Sequence, residues 1–296
     1  MQHVLTLIAP AGQLPAPLVA RVRSALTALG ATAGSPDWLS EEEAADLPFE
    51  GLALEQAQAA AAGALEGASV DSIAQAAEGR RKRLLIADMD STIVTSETLD
   101  ELAAYAGLKE RVAEITRRSM NGEIDFSAAL RERVAMLKGL ALSALEATWA
   151  ETRIMPGATE LVRTMVANGA HCALASGGFT FFTSRVAEKL GFTSHHANIL
   201  EDDGSALAGT VAEPIFDRSA KLATLKRLAA ELHLPLADTL AVGDGANDLE
   251  MIAAAGLGVA YHAKPVVAAA ARVRVDHTDL RALLFAQGYR AAEFVA

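Results

Sequence analysis

Two carboxylates set two residues apart, directly after an apolar run, open the chemistry of this chain: Leu84-Leu85-Ile86-Ala87-Asp88-Met89-Asp90-Ser91-Thr92. Apolar residues leading into acids read as a buried parallel-type strand whose C-terminal end carries charge to a site. Side chains alternate along an extended chain, so Asp88 and Asp90 leave the strand end on one side and Met89 on the other. Two acids in one small volume repel. One keeps its proton unless a cation lies between them or one works as a proton carrier. Asp88 is the candidate nucleophile. Further along, Ser176-Gly177-Gly178, Lys221 and Gly243-Asp244-Gly245-Ala246-Asn247-Asp248 add a hydroxyl, an ammonium and two more carboxylates.

These groups suit phosphoryl transfer. A phosphate monoester dianion repels an incoming carboxylate, so attack by Asp88 needs positive charge joining the two, and the uncatalysed reaction is slow enough to require accelerations of up to ~10^21. Asp88 and Asp244 offer hard oxygen ligands, which suit Mg2+ bound by a few carboxylates, water and the substrate's phosphate. Lys221 near a helix N-terminus, the Ser176 hydroxyl and the Gly177 backbone N–H are placed to hold the phosphoryl oxygens as charge shifts in the transition state. Asn247 is assigned to substrate contact, and Asp248 to holding its neighbours in place. Asp90 would give a proton to the leaving alkoxide and then take one from the water that hydrolyses the phosphorylated aspartate, one acid–base cycle run both ways.

Positioning such groups needs strand ends. Residues 171–175 and 239–242 read as further core strands, 256–261 and 273–275 as additional candidates, with helices between them. One helix opens at Pro156-Gly157 and runs through Val166, another spans residues 179–190, and a third runs from Ser219, read as its N-cap, through Leu232. This alternation predicts an α/β fold: a doubly wound, Rossmann-like parallel sheet with ligands beyond the strands' carboxyl ends. Residues 201–205 have the chemistry of a hairpin tip. From Thr95 the pattern is dense helix, with stripes at Leu99, Leu102, Ala103 and Ala106, at Val112 and Ile115, and at Phe126, Leu130, Val134 and Leu137. A helical insertion there, about residues 95–154, belongs above the first strand's end as a cap over the core of 80–94 and 155–296. Residues 1–79 read as a small α+β unit with strands near 4–9 and 70–74, helices near 17–29 and 54–65, and weak patterning between. The Arg80-Arg81-Lys82-Arg83 run reads as solvated charge at its end.

The whole chain excludes several classes. At 296 residues with 51% hydrophobic and 21% charged composition it is an ordinary globular sequence with room for two domains. A net charge of -11 and a pI near 5.1 argue against nucleic acid as a partner, which is held chiefly by Lys and Arg. No apolar run is long enough for a membrane span, and no basic region precedes the first apolar stretch, so a cytoplasmic protein is expected. The single cysteine, Cys172, reads as a packed thiol in a reducing compartment. His195-His196 lack a second pair at ligand spacing and read as structural.

In their order, Asp88-Met89-Asp90-Ser91-Thr92, Ser176-Gly177-Gly178-Phe179, Lys221 and Gly243 to Asp248 resemble the motifs of the haloacid dehalogenase-like phosphotransferase superfamily, and within it the phosphoserine phosphatases. The resemblance covers Leu84 to the C-terminus. Residues before Arg80 more loosely resemble the ACT-like regulatory domain that some members carry. It implies Mg2+-dependent hydrolysis of O-phospho-L-serine to L-serine and phosphate through an aspartyl phosphate, the last step of serine biosynthesis. It implies a small-molecule substrate and leaves a homodimer open. It also adds the backbone carbonyl of Asp90 as a third metal ligand. In such enzymes a Glu shortly after the first motif binds the substrate's amino group and an Arg binds its carboxylate; Glu97 and Arg133 match those places. Met120 and Phe126 match residues that close over the substrate. Asp90, where related ATPases carry Thr, argues for a phosphatase. Another phosphomonoester, or transfer to homoserine, would keep the chemistry and change the partner. A receiver-type phospho-accepting switch gathers similar groups, but needs neither a cap nor an acid for a leaving group.

Overall fold

The computed structural model describes all 296 residues. The chain begins with β1 (His3–Ile8), α1 (Ala16–Ala28), β2 (Thr32–Ala33), β3 (Asp37–Ser40), β4 (Ala44–Glu50), α2 (Leu54–Ala64) and β5 (Asp71–Ala76). These strands form an antiparallel sheet ordered β2-β4-β1-β5, with β3 also paired to β4. Leu5, Leu7, Leu47 and Phe49 on its inner face pack on Val22 and Leu26 of α1 and Ala57 and Ala61 of α2. The weakly patterned stretch thus holds three strands. β4 is disguised by Pro48, a residue that central strands exclude because it cannot donate to the ladder. Here its carbonyl accepts from Gly34 N at 2.8 Å, on the side where β4's pairing passes from β3 to β2 and the ladder is already interrupted.

β6 (Leu84–Ala87) then starts a six-stranded parallel sheet, and four helices follow it: α3 (Thr98–Ala104), α4 (Lys109–Met120), α5 (Phe126–Ala135) and α6 (Ser143–Glu151). The chain returns through α7 (Ala158–Ala167), β7 (His171–Phe179), α8 (Thr180–Leu190) and β8 (Ser194–Asn198), then a hairpin of β9 (Leu200–Asp202) and β10 (Leu207–Val211). It ends with α9 (Arg218–Glu231), β11 (Thr239–Gly243), α10 (Leu249–Ala254), β12 (Leu257–Tyr261), α11 (Pro265–Ala270), β13 (Val273–Val275) and α12 (Ala282–Ala286). The sheet order is β13-β12-β11-β6-β7-β8. Leu84 and Ile86 face α9 and α10 through Leu225, Leu228 and Met251, while Leu85 and Ala87 face the opposite layer with Cys172, Leu174 and Val242. Both faces are covered, which is why these strands are apolar without alternation.

The central β6 lies between β11 and β7, with Ala87 opposite Val242 and Leu174, so the residues that follow each strand emerge side by side. The four helices sit over this edge as a cap. Its two connections run together: Val94 bridges Ile154, and Thr95 N donates to Arg153 O at 3.0 Å. On another side the β9–β10 hairpin is bonded to the cap, Gly139 N to Leu207 O at 2.8 Å and Leu207 N to Leu140 O at 2.9 Å.

Two expectations need correction. Arg80 is not solvated charge: its guanidinium forks onto Asp46 at 2.6 and 3.0 Å and also donates to Thr6 Oγ1 and to the carbonyls of Phe285 and Ala286. It ties the antiparallel sheet to the C-terminal helix. The N-cap of α9 is Asp217, whose Oδ1 accepts from Ala220 N at 3.0 Å; Ser219 lies inside the first turn and donates its hydroxyl to Asp217. An acid two residues earlier does the same work as the expected serine and adds a favourable charge at the helix dipole. No helix is long and apolar enough to cross a membrane. His195 bonds Thr183 and His196 stacks on Phe216, and neither belongs to a group of converging ligands.

Candidate active site

Asp88 leaves β6, Asp244 and Asp248 follow β11, Ser176 and Gly177 lie on β7, and Lys221 comes up from the first turn of α9. The fold brings them together. Lys221 is wholly buried, and its Nζ donates at 2.7 Å to Asp88 Oδ1 and at 2.7 Å to Asp248 Oδ1. Burial alone would lower the lysine's pKa, but Asp248 and Asp88 outweigh it and hold the ammonium charged. Asp248 also accepts from Gly245 N, so each of its oxygens is engaged. Asp88 Oδ2 accepts no hydrogen bond, and Asp88 lines the cavity under the cap.

Carboxylate oxygens of Asp88, Asp244 and Asp248 lie within 4.8 Å of one another. Three buried carboxylates around one buried ammonium are short of positive charge. Burial, then Asp88 and Asp248, push Asp244 up to about 8, and burial with Asp88 pushes Asp248 up to about 7. A cation between Asp88 and Asp244 removes that strain, so this hard-oxygen group fits a divalent metal. Asp90 sits beside it with a different fate. Its Oδ1 accepts from Thr98 N at 2.7 Å and its Oδ2 from the Ser176 hydroxyl at 3.3 Å, while desolvation and the Asp88 charge raise its pKa to about 6. A carboxyl group poised there can both give and take a proton near neutrality.

The two glycines after Ser176 are required by close approach. A Cβ on Gly178 would stand 2.7 Å from Asp90 Oδ2, and one on Gly177 would stand 2.6 Å from Phe126 Cζ of the cap. Ser176 is fully buried; its Oγ accepts from Gly178 N at 2.8 Å and donates toward Asp90.

The cap closes the remaining walls. Glu97, Met120, Phe126 and Arg133 line the same cavity as Asp88, Asp90, Asp244, Gly177 and Asn247. Glu97 accepts from the Ser91 hydroxyl at 2.7 Å, and burial with the charges of Asp90 and Asp244 holds its carboxyl well above the usual range. Arg133 is 3% exposed; its Nε donates to Ala129 O at 3.2 Å and its Nη1 to Thr116 Oγ1 at 2.9 Å. Asn247 Oδ1 is buried with no partner. The enclosed space is about 20 Å3, room for about one water molecule.

The haloacid dehalogenase-like hydrolase family matches residues 82–256, more than half of the chain and every group from Asp88 to Asp248. The chain belongs to that family. A phosphoserine phosphatase of Streptomyces coelicolor is 42% identical to this hydrolase over 230 residues, 78% of this chain and 56% of the relative, so the chain spans little more than half of that relative's length. A probable phosphoserine phosphatase of Schizosaccharomyces pombe is 40% identical over 227 residues, 76% of each chain. The solved structure of a probable phosphoserine phosphatase from Vibrio cholerae, in unliganded form, superposes with a TM-score of 0.77 at 32% identity, covering 99% of this chain and 88% of that one.

Four polar residues around this hydrolase's site carried no assignment in the sequence. Thr92 donates its hydroxyl to Asp244 Oδ1 at 3.3 Å, Lys264 Nζ lies 3.6 Å from Asp244 Oδ2, and Asp100 and Thr116 stand behind Arg133. Lys264 had a signal, a basic residue just past the end of β12. Thr92 had one too, as the last residue of the first motif. Asp100 and Thr116 had none, since both sit on amphipathic helices where polar residues are ordinary.

Proposed function

We propose that this protein is a Mg2+-dependent phosphoserine phosphatase, converting O-phospho-L-serine to L-serine and phosphate. The observation that carries this is Arg133. A buried guanidinium whose Nη2 makes no hydrogen bond, on the wall of a cavity that also holds Asp88, offers its open edge to a carboxylate. Glu97 in the same wall supplies the counter-charge for an ammonium group. An amino acid esterified with phosphate presents both charges beside the reacting phosphorus. The names of the similar proteins support the same reading.

Bound Mg2+ would be held by the carboxylates of Asp88 and Asp244 and the backbone carbonyl of Asp90, and would neutralise charge between nucleophile and phosphate. Asp88 Oδ2 attacks phosphorus. Lys221 keeps Asp88 oriented and, with the Ser176 hydroxyl, the Gly177 N–H and Asn247, stabilises the phosphoryl oxygens. Asp90 donates its proton to the departing serine oxygen, then takes one from the water that cleaves the phosphorylated Asp88. Asp248 fixes Lys221. Met120 and Phe126 exclude bulk water. In this reading residues 80–296 are the catalytic unit with a cap at about 95–154, residues 1–79 are an ACT-like regulatory unit, and the enzyme works in the cytoplasm without nucleic acid.

Phosphate release from phosphoserine, phosphothreonine and sugar phosphates tests the assignment. Phosphoserine is expected to give the highest kcat/KM, and a sugar phosphate turned over faster would overturn it. Asp88→Asn is expected to abolish turnover while leaving the thermal midpoint near that of the parent.

A further inference from the structure

We infer that Thr116, braced by Asp100, positions Arg133 and so sets the preference for substrates that carry a carboxylate; this rests on the reading of Arg133 given above. The three residues come from three successive cap helices, Asp100 on α3, Thr116 on α4 and Arg133 on α5. Thr116 is 3% exposed, and its hydroxyl lies 2.6 Å from Asp100 Oδ1 and 3.1 Å from Val112 O. One O–H donates well in one direction. The shorter, charge-assisted bond to the carboxylate takes it. The oxygen lone pair then faces Arg133 Nη1, 2.9 Å away.

The interposed hydroxyl matters because of what it prevents. Asp100 and Arg133 form no ion pair within 4.0 Å; the acid reaches the guanidinium only through the threonine. A direct bidentate Asp–Arg pair would occupy the fork that a ligand carboxylate needs. With Thr116 between them, the orientation is transmitted and the edge stays open. An arginine side chain that rotates freely loses conformational freedom when a ligand fixes it. Two anchors, Ala129 O on Nε and Thr116 Oγ1 on Nη1, fix it before the substrate arrives. Thr116 does not line the cavity that Arg133 walls, so it is a positioning residue.

The test compares O-phosphoserine with O-phosphoethanolamine, which keeps the amine and the phosphate and lacks the carboxylate. In the full chain with Mg2+, Thr116→Val is expected to raise KM for phosphoserine ~10-fold with kcat changed less than ~2-fold, a loss of ~1.4 kcal/mol in binding. For phosphoethanolamine kcat/KM should fall less than ~2-fold. Thr116→Ser, which restores the hydroxyl, should return phosphoserine KM to within ~2-fold of the parent, and the thermal midpoints of all variants report whether folding contributes. Equal losses on both substrates, or no loss on either, would overturn the positioning role. Arg133→Ala separates the two layers of the argument. If it discriminates between the substrates and Thr116→Val does not, only the positioning fails; if Arg133→Ala affects both substrates alike, the carboxylate-binding reading fails first.

Discussion

A buried acid without a counter-charge is a liability, and this site concentrates several. Asp90, Asp248 and Asp244 have folded-state pKa values raised to about 6, 7 and 8. A carboxyl group whose pKa is higher folded than unfolded favours the fold while protonated, and that contribution is lost as pH rises through the folded value. Without a metal the protein should therefore lose stability between about pH 4 and pH 8. Mg2+ reverses the sign by favouring the ionised forms. The difference in Tm between samples in Mg2+ and in EDTA is expected to widen as pH rises over that range; a constant difference would show that these carboxylates are not where the ion binds. Asp88, Asp90 and Asp244 were legible in the sequence because they follow apolar runs that had to become strands, and Lys221 and Asp248 because they stand in order with them in motifs that resemble the family's. Thr116 and Asp100 were not. A hydroxyl on a helix acquires its role from what packs over it, and nothing local in Arg111 to Met120 marks Thr116 apart from Ser119.

At the scale of elements, the cap is fastened unevenly. Its paired connections at Val94 and Ile154 and its bonds to the β9–β10 hairpin anchor two sides, while no hydrogen bond ties the turn at residues 121–125 to the core. A cavity of about 20 Å3 is too small for the phosphorylated amino acid proposed as substrate, so on that reading the cap must lift to admit it. That turn is therefore the edge expected to move. Hydrogen exchange is expected to show amides of residues 121–125 fast in the free protein and protected by Mg2+ with vanadate, with Gly139 and Leu207 slow in both. Equal ligand-induced protection at Gly139 and Leu207 would mean that the hairpin side opens too. The parallel strands and cap helices could be read in advance, since unbroken apolar runs and 3.6-residue stripes are strong local signals. β2, β3 and β4 could not: they are short, acidic or interrupted by Pro48, and become strands only by pairing with one another and with β1.

Across the whole molecule, the antiparallel sheet is joined to the parallel one by apolar contact, with Ile8, Leu39, Ala44 and Ile73 in the same core as the parallel sheet, and by polar clamps. Asp71 accepts from the backbone N–H groups of Asp276 and Thr278 and from the Thr278 hydroxyl, Arg290 forks onto Asp37, and Arg80 holds Asp46. Arg80→Ala would leave Asp46 buried beside Thr6 without its cation, and is expected to cost ~3 kcal/mol or more in urea unfolding. A loss under ~1 kcal/mol would show that the clamp is solvated after all. This docking was misread from the sequence because four adjacent basic residues look alike until one of them finds an acid 34 residues earlier in the chain. The interior also holds the chain's only sulfhydryl, Cys172, packed in β7 with its thiol pushed up to about 12 by burial. Maleimide chemistry at neutral pH should pass it by. A cysteine introduced at the exposed Glu123, beside the left-handed Gly122, would then be the single handle for a fluorescent reporter, letting cap motion be watched in the otherwise natural chain.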